Sequence, residues 1–333
     1  MRLNNKQWIQ VLLSFLAAIW IFWFLYKDIS LGSLLASIAE TSIFWISSSI
    51  LVALGGYWIR AWRWKLLIQA GENSPTLTFR AYNALMIGYL INMIIPRAGE
   101  VARCGVLAKT DDKQMGKLLG TVILERTIDL LFLILTILLA FILESNTFIN
   151  LFAELVSMEV LFSKLFEYYP VILGALIITG LFFYFVFLKY RDSNLLKKLQ
   201  HFLRDLIFGI SSLKKVKNQM GFWSSSFLIW FFYYLTMLFV AWAIPSTASL
   251  SLSSVLMVMV MGSIGMVAPV QGGIGTFHAL VAFILITYGL TNEDGKIFAV
   301  IVHGSQVLVV IAAGLVSLGI FFKITAQKAS KSY

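Results

Sequence analysis

The residues best able to do chemistry in this chain are ionisable groups set inside or beside apolar blocks. Arg97, Glu100 and Arg103 follow Pro96, and Glu125, Arg126 and Asp129 come just before the uncharged run 130–143. A guanidinium is a permanent cation whose forked donors match a phosphate, and carboxylates can hold it in place or meet a cationic group. Glu125 and Asp129 are four apart and share a helix face. A helix that starts after Pro96 also turns free N–H groups towards the break, which suits an anion such as a phosphate. A second set follows Pro269. Gln271, Gly272, Gly273 and Gly275 offer bare backbone to a polar group, or alternatively a close helix–helix contact between small residues. His278 comes three residues later, and His303 lies further on, sharing a face with Gln306. Two histidines with no Cys or further His nearby make a weak case for metal. They read as polar residues of a bundle or as a proton relay, and no metal or cofactor is expected.

The elements that carry these residues are apolar. Of 333 residues, 59% are hydrophobic and 13% charged, against about one half and one quarter in an ordinary soluble domain. The apolar residues fall into blocks long enough to cross a bilayer as helices. The pattern predicts an all-α integral membrane protein, a single polytopic domain with about six full spans. They are placed at 8–26, 43–62, 117–143, 170–189, 222–244 and 297–322. Most tryptophans lie near span ends, where amphipathic rings favour the interface. The first block is too long for a signal-peptide core and is read as an uncleaved span.

Two further stretches, 79–108 and 253–289, are interrupted by Pro96 to Glu100 and by Pro269 to Gly275. Proline removes a backbone donor and glycine frees the backbone, so each helix should break there. Broken backbone at membrane depth must be buried in protein or line a wet cavity. Both stretches are therefore read as re-entrant hairpins. Asn83 and Asn92 should then face inward.

Charge sets the orientation. The net charge is +10, and the basic residues lie in loops, which points to anionic lipid rather than nucleic acid. Arg60, Arg63, Lys65 and Arg80 outweigh Glu72, and segment 189–217 is rich in lysine. Segment 144–169 sets Lys164 against Glu144, Glu154, Glu159 and Glu167. By the positive-inside rule both termini are cytoplasmic, provided each interrupted stretch returns to the side it entered from. Span, hairpin and span then occur twice in opposite orientation, the pattern of an inverted repeat with a site near the midplane. Leucines at helical spacing in 191–217 predict a helix on the inner leaflet or a solvated helix pair.

Arg60 to Trp64, Pro96 to Glu100 with Arg103, Glu125 to Asp129, and Pro269 to Phe277 occur in this order across nearly the whole chain. Together they resemble the transmembrane region of the lysylphosphatidylglycerol synthase family. In bifunctional members of that family the membrane region is implied to translocate aminoacylated phosphatidylglycerol, which a separate soluble domain makes. The residues present include no such domain, so synthase activity is not implied. In this sequence His278 stands where the family usually has an acidic residue, and His303 where it often has arginine.

The expectation is a non-enzymatic lipid translocase of the bacterial inner membrane acting on a phospholipid or lipid-linked anionic substrate. Arg97, Arg103 and Arg126 would hold the phosphate. Glu100 and Asp129 would orient those arginines, and Gln271 to Gly275 would line the opposite wall with His278 and His303 close by. Two other classes stay open: an intramembrane lipid-modifying enzyme with His278 or His303 as general base, and a membrane partner of a lipid synthase or glycosyltransferase. A homodimer is also open. Soluble-enzyme signatures such as HExxH or GxSxG do not occur.

Overall fold

The computed structural model describes residues 29–71, 75–147, 213–268 and 270–330, with shorter pieces at 16, 20, 22–27, 149, 168–170 and 173–174. Its helices are α1 (Leu31–Glu40), α2 (Ile43–Gly71), α3 (Thr78–Asn92), α4 (Gly99–Asp111), α5 (Met115–Leu143), α6 (Gln219–Ala243), α7 (Leu252–Val267), α8 (Thr276–Thr287) and α9 (Asn292–Ser330). No strand occurs among the described residues. Four helices, α2, α5, α6 and α9, are long and apolar enough to cross a membrane, and the chain is a multi-pass membrane protein. The spans expected at 8–26 and 170–189 lie largely outside the described residues, as does most of the amphipathic segment 191–217.

Local signals explain several helix starts. Ser30, Asn218 and Ser251 each accept a backbone N–H from three residues on, capping α1, α6 and α7. The helix expected at 43–62 instead runs to Gly71. Nothing between Ile59 and Gly71 breaks it, and Ala61, Trp64, Leu67 and Ile68 are buried. Arg60 and Arg63 are therefore not loop residues. They lie on α2, 4% and 0% exposed, and drop out of the loop-charge tally.

The two interrupted stretches are helical hairpins, α3 folded back on α4 and α7 on α8. With 15, 13, 16 and 12 residues, the arms are about 18–24 Å long, shorter than the roughly 30 Å bilayer core. Asn92 takes over the missing cap at the first break: its Oδ1 accepts the Gly99 N–H at 2.6 Å. The arms meet closely here, since a Cβ on Gly99 would collide with the Gly88 carbonyl and the Asn92 side chain. Asn83 is buried and donates to the Phe79 carbonyl.

The helix pairings repeat. α2–α3, α3–α4, α4–α5 and α2–α5 have their counterparts in α6–α7, α7–α8, α8–α9 and α6–α9. Across the halves, α3–α9 matches α7–α5 and α2–α9 matches α6–α5. Among the described residues α4–α9 and α1–α9 are the main helix contacts with no counterpart of similar extent. Each half also has its own core, one around Trp64, Leu85 and Leu107, the other around Val258, Val281 and Phe298. The pair that maps onto itself, α2–α6, runs antiparallel: Ser42 N–H donates to the Ala243 carbonyl, Ser49 Oγ to that of Thr236, and Arg63 reaches Ser226. Equivalent helices running in opposite directions are what an inverted repeat requires.

Replacing Gly99 with Ala should destabilise the protein by about 1–3 kcal/mol through overpacking. Gly105→Ala, on the same helix and meeting nothing within 4 Å, should be neutral or stabilising by up to about 1 kcal/mol. Thermal unfolding in detergent compares the two directly.

Candidate functional site

The arginines and carboxylates form one network. From α2, Arg60 and Arg63 each reach Asp129 on α5 at 2.5 Å. Arg60 also lies 2.7 Å and Arg63 3.7 Å from Glu125, one turn earlier on the same face. From α4, Arg103 donates to Glu125 at 2.8 Å, and its guanidinium lies over the Trp64 ring at 4.4 Å. Trp64 is fixed in turn by its indole N–H to Thr121 Oγ1 at 2.9 Å. From α6, Tyr233 OH accepts from Arg60 at 2.7 Å and Ser226 Oγ accepts from Arg63 at 3.3 Å. Nearer the surface, Arg126 donates to Glu100 at 2.7 Å and lies 3.8 Å from Asp129.

Four guanidinium groups thus meet three carboxylates, leaving one net positive charge. The inner members are almost fully enclosed: Arg63 and Glu125 side chains are 0% exposed and Arg103 is 2% exposed. The outer pair is open, with Arg126 at 45% and Glu100 at 23%. Among the described residues, Arg103 Nε and Nη1 are buried without a hydrogen-bond partner. Arg103 lines a narrow crevice with Leu85, Gly88, Tyr89, Asn92, Gly99, Glu100 and Arg126. Arg103 is thus a buried cationic donor with spare capacity beside a crevice too narrow for water, and an anion reaches it only once the crevice opens.

Helix geometry fixes the depth. The uncharged run 130–143 spans about 21 Å, while a bilayer core is roughly 30 Å. For α5 to cross, Asp129, Arg126 and Glu125 must enter the hydrocarbon or its margin. Ionisable residues persist there only when paired or hydrated, and here each carboxylate is paired.

The remaining candidates gather at the two hairpin tips. Arg97 has φ 61° in the first break, a left-handed backbone unusual for a side chain other than glycine, asparagine or aspartate. It is exposed, and its guanidinium donates to the Val267 carbonyl at the end of α7 at 3.3 Å. Arg97 therefore joins one tip to the other. In the second break Gly272, Gly273 and Gly275 all have positive φ, at 56°, 78° and 89°, and Gln271 and Gly273 are buried. His278 and His303 are 4% and 8% exposed, with ring centroids 4.8 Å apart.

The structure brings Arg103, Arg126, Glu100 and Asp129 together, with Arg97 one break away. It places the glycine turn and the histidine pair at the other hairpin. Arg60 and Arg63 are the members that sequence reasoning read as loop charges. Their spacing of three, which puts both on one helix face, was the signal. Glu125 was visible, but its central place between three arginines was not.

A family model described as the lysylphosphatidylglycerol synthase TM region matches residues 7–314. No curated protein and no solved structure matches the chain.

Removing the Glu125 charge with Glu125→Gln should cost about 3–5 kcal/mol, because Arg60, Arg63 and Arg103 are then left buried with too few partners. Glu100→Gln, at the exposed pair, should cost under about 1 kcal/mol. Similar losses of thermal stability for both variants would contradict this division into inner and outer layers.

Proposed function

Because the chain belongs to the lysylphosphatidylglycerol synthase TM-region family, a family connected with lipid metabolism, we propose that it translocates a phospholipid or lipid-linked anionic substrate across the bacterial inner membrane. The observation that carries this reading is Arg103: a buried guanidinium with spare donors at the crevice between the first hairpin and α5. The lipid phosphate would take those donors. Arg126 would release Glu100 to admit it, and Glu125 and Asp129 would hold the deeper arginines in place. Arg97 would meet the head group at the junction of the two tips, with Gln271 to Gly275 as the facing wall.

Short hairpin arms support re-entrant elements that enter from opposite sides and meet near the midplane. The antiparallel relation of α2 and α6 supports alternating access by rocking of two inverted repeats. Both termini would then be cytoplasmic. A lipid-modifying reaction would need a histidine base oriented by a carboxylate. The ring neighbours of His278 are Phe22, Tyr26, Phe277 and His303, which favours translocation.

The test is flipping of head-group- and acyl-labelled lipids in proteoliposomes. Arg97→Ala removes one charge-assisted contact, worth about 1.5–3 kcal/mol, and should slow flipping about tenfold to a hundredfold. The Arg97→Ala, Glu100→Ala double variant should be slower still, with both proteins remaining folded. Wild-type rates in the folded Arg97→Ala protein would sink its assigned role, and absence of flipping for any anionic or zwitterionic lipid would sink the translocase reading.

A further inference from the structure

The histidine pair is separate from the arginine network, yet it occupies the equivalent place in the second half of the molecule. Glu100 is the second residue of α4 and His278 the third of α8. Glu125 is the eleventh residue of α5 and His303 the twelfth of α9. Both correspondences carry the same offset, and α4–α5 is the counterpart of α8–α9 in the helix pairings. In the first half this position holds carboxylates with arginines packed against them as fixed counter-ions. In the second half it holds two imidazoles, the side chains whose charge changes near neutral pH.

The surroundings of the pair carry no formal charge among the described residues that touch it. Phe22 and Tyr26, from the segment before α1, meet His278 edge-on at 5.5 and 5.7 Å. Phe277 of α8 lies 5.2 Å from His303. Tyr26 OH is occupied by the Lys296 carbonyl of α9 at 2.9 Å. One turn beyond His303, Gln306 receives the Tyr57 hydroxyl of α2 at 3.4 Å. On the far side of the glycine turn, Arg97 is bound at the Val267 carbonyl.

One hydrogen bond ties the pair to that turn, and the ring contact of His278 with His303 links the second imidazole to it. The Gly275 N–H donates to His278 Nδ1 at 3.3 Å, so Nδ1 is an unprotonated acceptor and the ring is neutral. A proton arriving at His278 would form an N–H bond with the Nδ1 lone pair that now accepts from Gly275. The Gly275 N–H would then lose its partner and the first turn of α8 its anchor. Two imidazolium rings this close would repel, so the pair takes one proton rather than two.

We propose that His278 and His303 form a one-proton binding site whose occupancy resets the Gln271–Gly275 turn where the two hairpins meet, making the protein proton-coupled. The consequence for transport rests on the translocase reading; the proton site itself does not. A charged imidazole buried among aromatic rings is costly, so proton uptake and opening of the tip to water favour each other. The first half, with its carboxylates held by arginine, keeps its charge throughout the cycle.

The chain has three histidines, so His201→Gln leaves only this pair visible in ring-nitrogen NMR of protein labelled with 15N-histidine and 15N-glycine in lipid nanodiscs. The expected result is uptake of one proton shared by the two rings, with the Gly275 amide resonance shifting in step. Rings that stay neutral down to about pH 5 in folded protein, or that each take up a proton independently near the ordinary imidazole value of about 6.5, would overturn the proposal. In proteoliposomes the wild-type flipping rate should change about tenfold over the two pH units that bracket an imidazole titration. The profile should flatten in His303→Gln and in His278→Asn, whose Oδ1 can still accept the Gly275 N–H. A flat wild-type profile with flipping intact overturns the coupling and leaves the translocase standing. Absence of flipping at every pH overturns the translocase, and the NMR titration still decides the proton site.

Discussion

The arrangement of the first half depends on keeping Glu125 ionised where water does not reach. Its carboxylate is fully enclosed and lies within 3.7 Å of three guanidinium groups, those of Arg60, Arg63 and Arg103. An enclosed carboxylate without counter-ions would be too costly to charge, and three enclosed arginines without it would be worse. Meeting both demands fixes the lateral position of α2, the rotation of α5 and the register of α4 at once. Asp129 repeats the contact one turn along, so α2 and α5 are joined at two levels. Trp64 extends the constraint by laying its ring under Arg103 and hydrogen-bonding Thr121 on α5.

Hairpin geometry supplies the second constraint. Two arms too short to cross a bilayer must bury the polar backbone of their break. The first break does so with Asn92, whose side chain stands in for a cap, and with two glycines that let α3 and α4 touch. The second uses three residues with positive φ and an imidazole that accepts the Gly275 N–H. Arg97 then bridges the tips by taking the open carbonyl at the end of α7. Among the described residues an exposed hydrogen bond from Arg97 to the Val267 carbonyl links the two tips.

The equivalence of the halves gives these features a common frame. The same interface, between the second hairpin arm and the helix that follows, carries permanent charges in one half and titratable rings in the other. The antiparallel α2–α6 pair lies where the halves exchange.

By itself the sequence determined that this is a helical membrane protein, that it breaks around Pro96 and in the glycine-rich turn, and that its family is readable from four motifs in order. Those features rest on local physics: apolar length, proline and glycine conformation, and residue type at fixed spacing. A shared face for Glu125 and Asp129 was also legible, since helical periodicity fixes neighbours within an element. Only the tertiary structure decided that Arg60 and Arg63 belong to the site. A charged residue near the end of an apolar block reads as interfacial until partners on other helices are known, and those partners, Glu125, Asp129, Tyr233 and Ser226, are remote in sequence. The same holds for His278 and His303, brought ring to ring by the packing of α8 on α9. Spacing along one chain states which side chains share a helix face; which face it meets is a property of the fold.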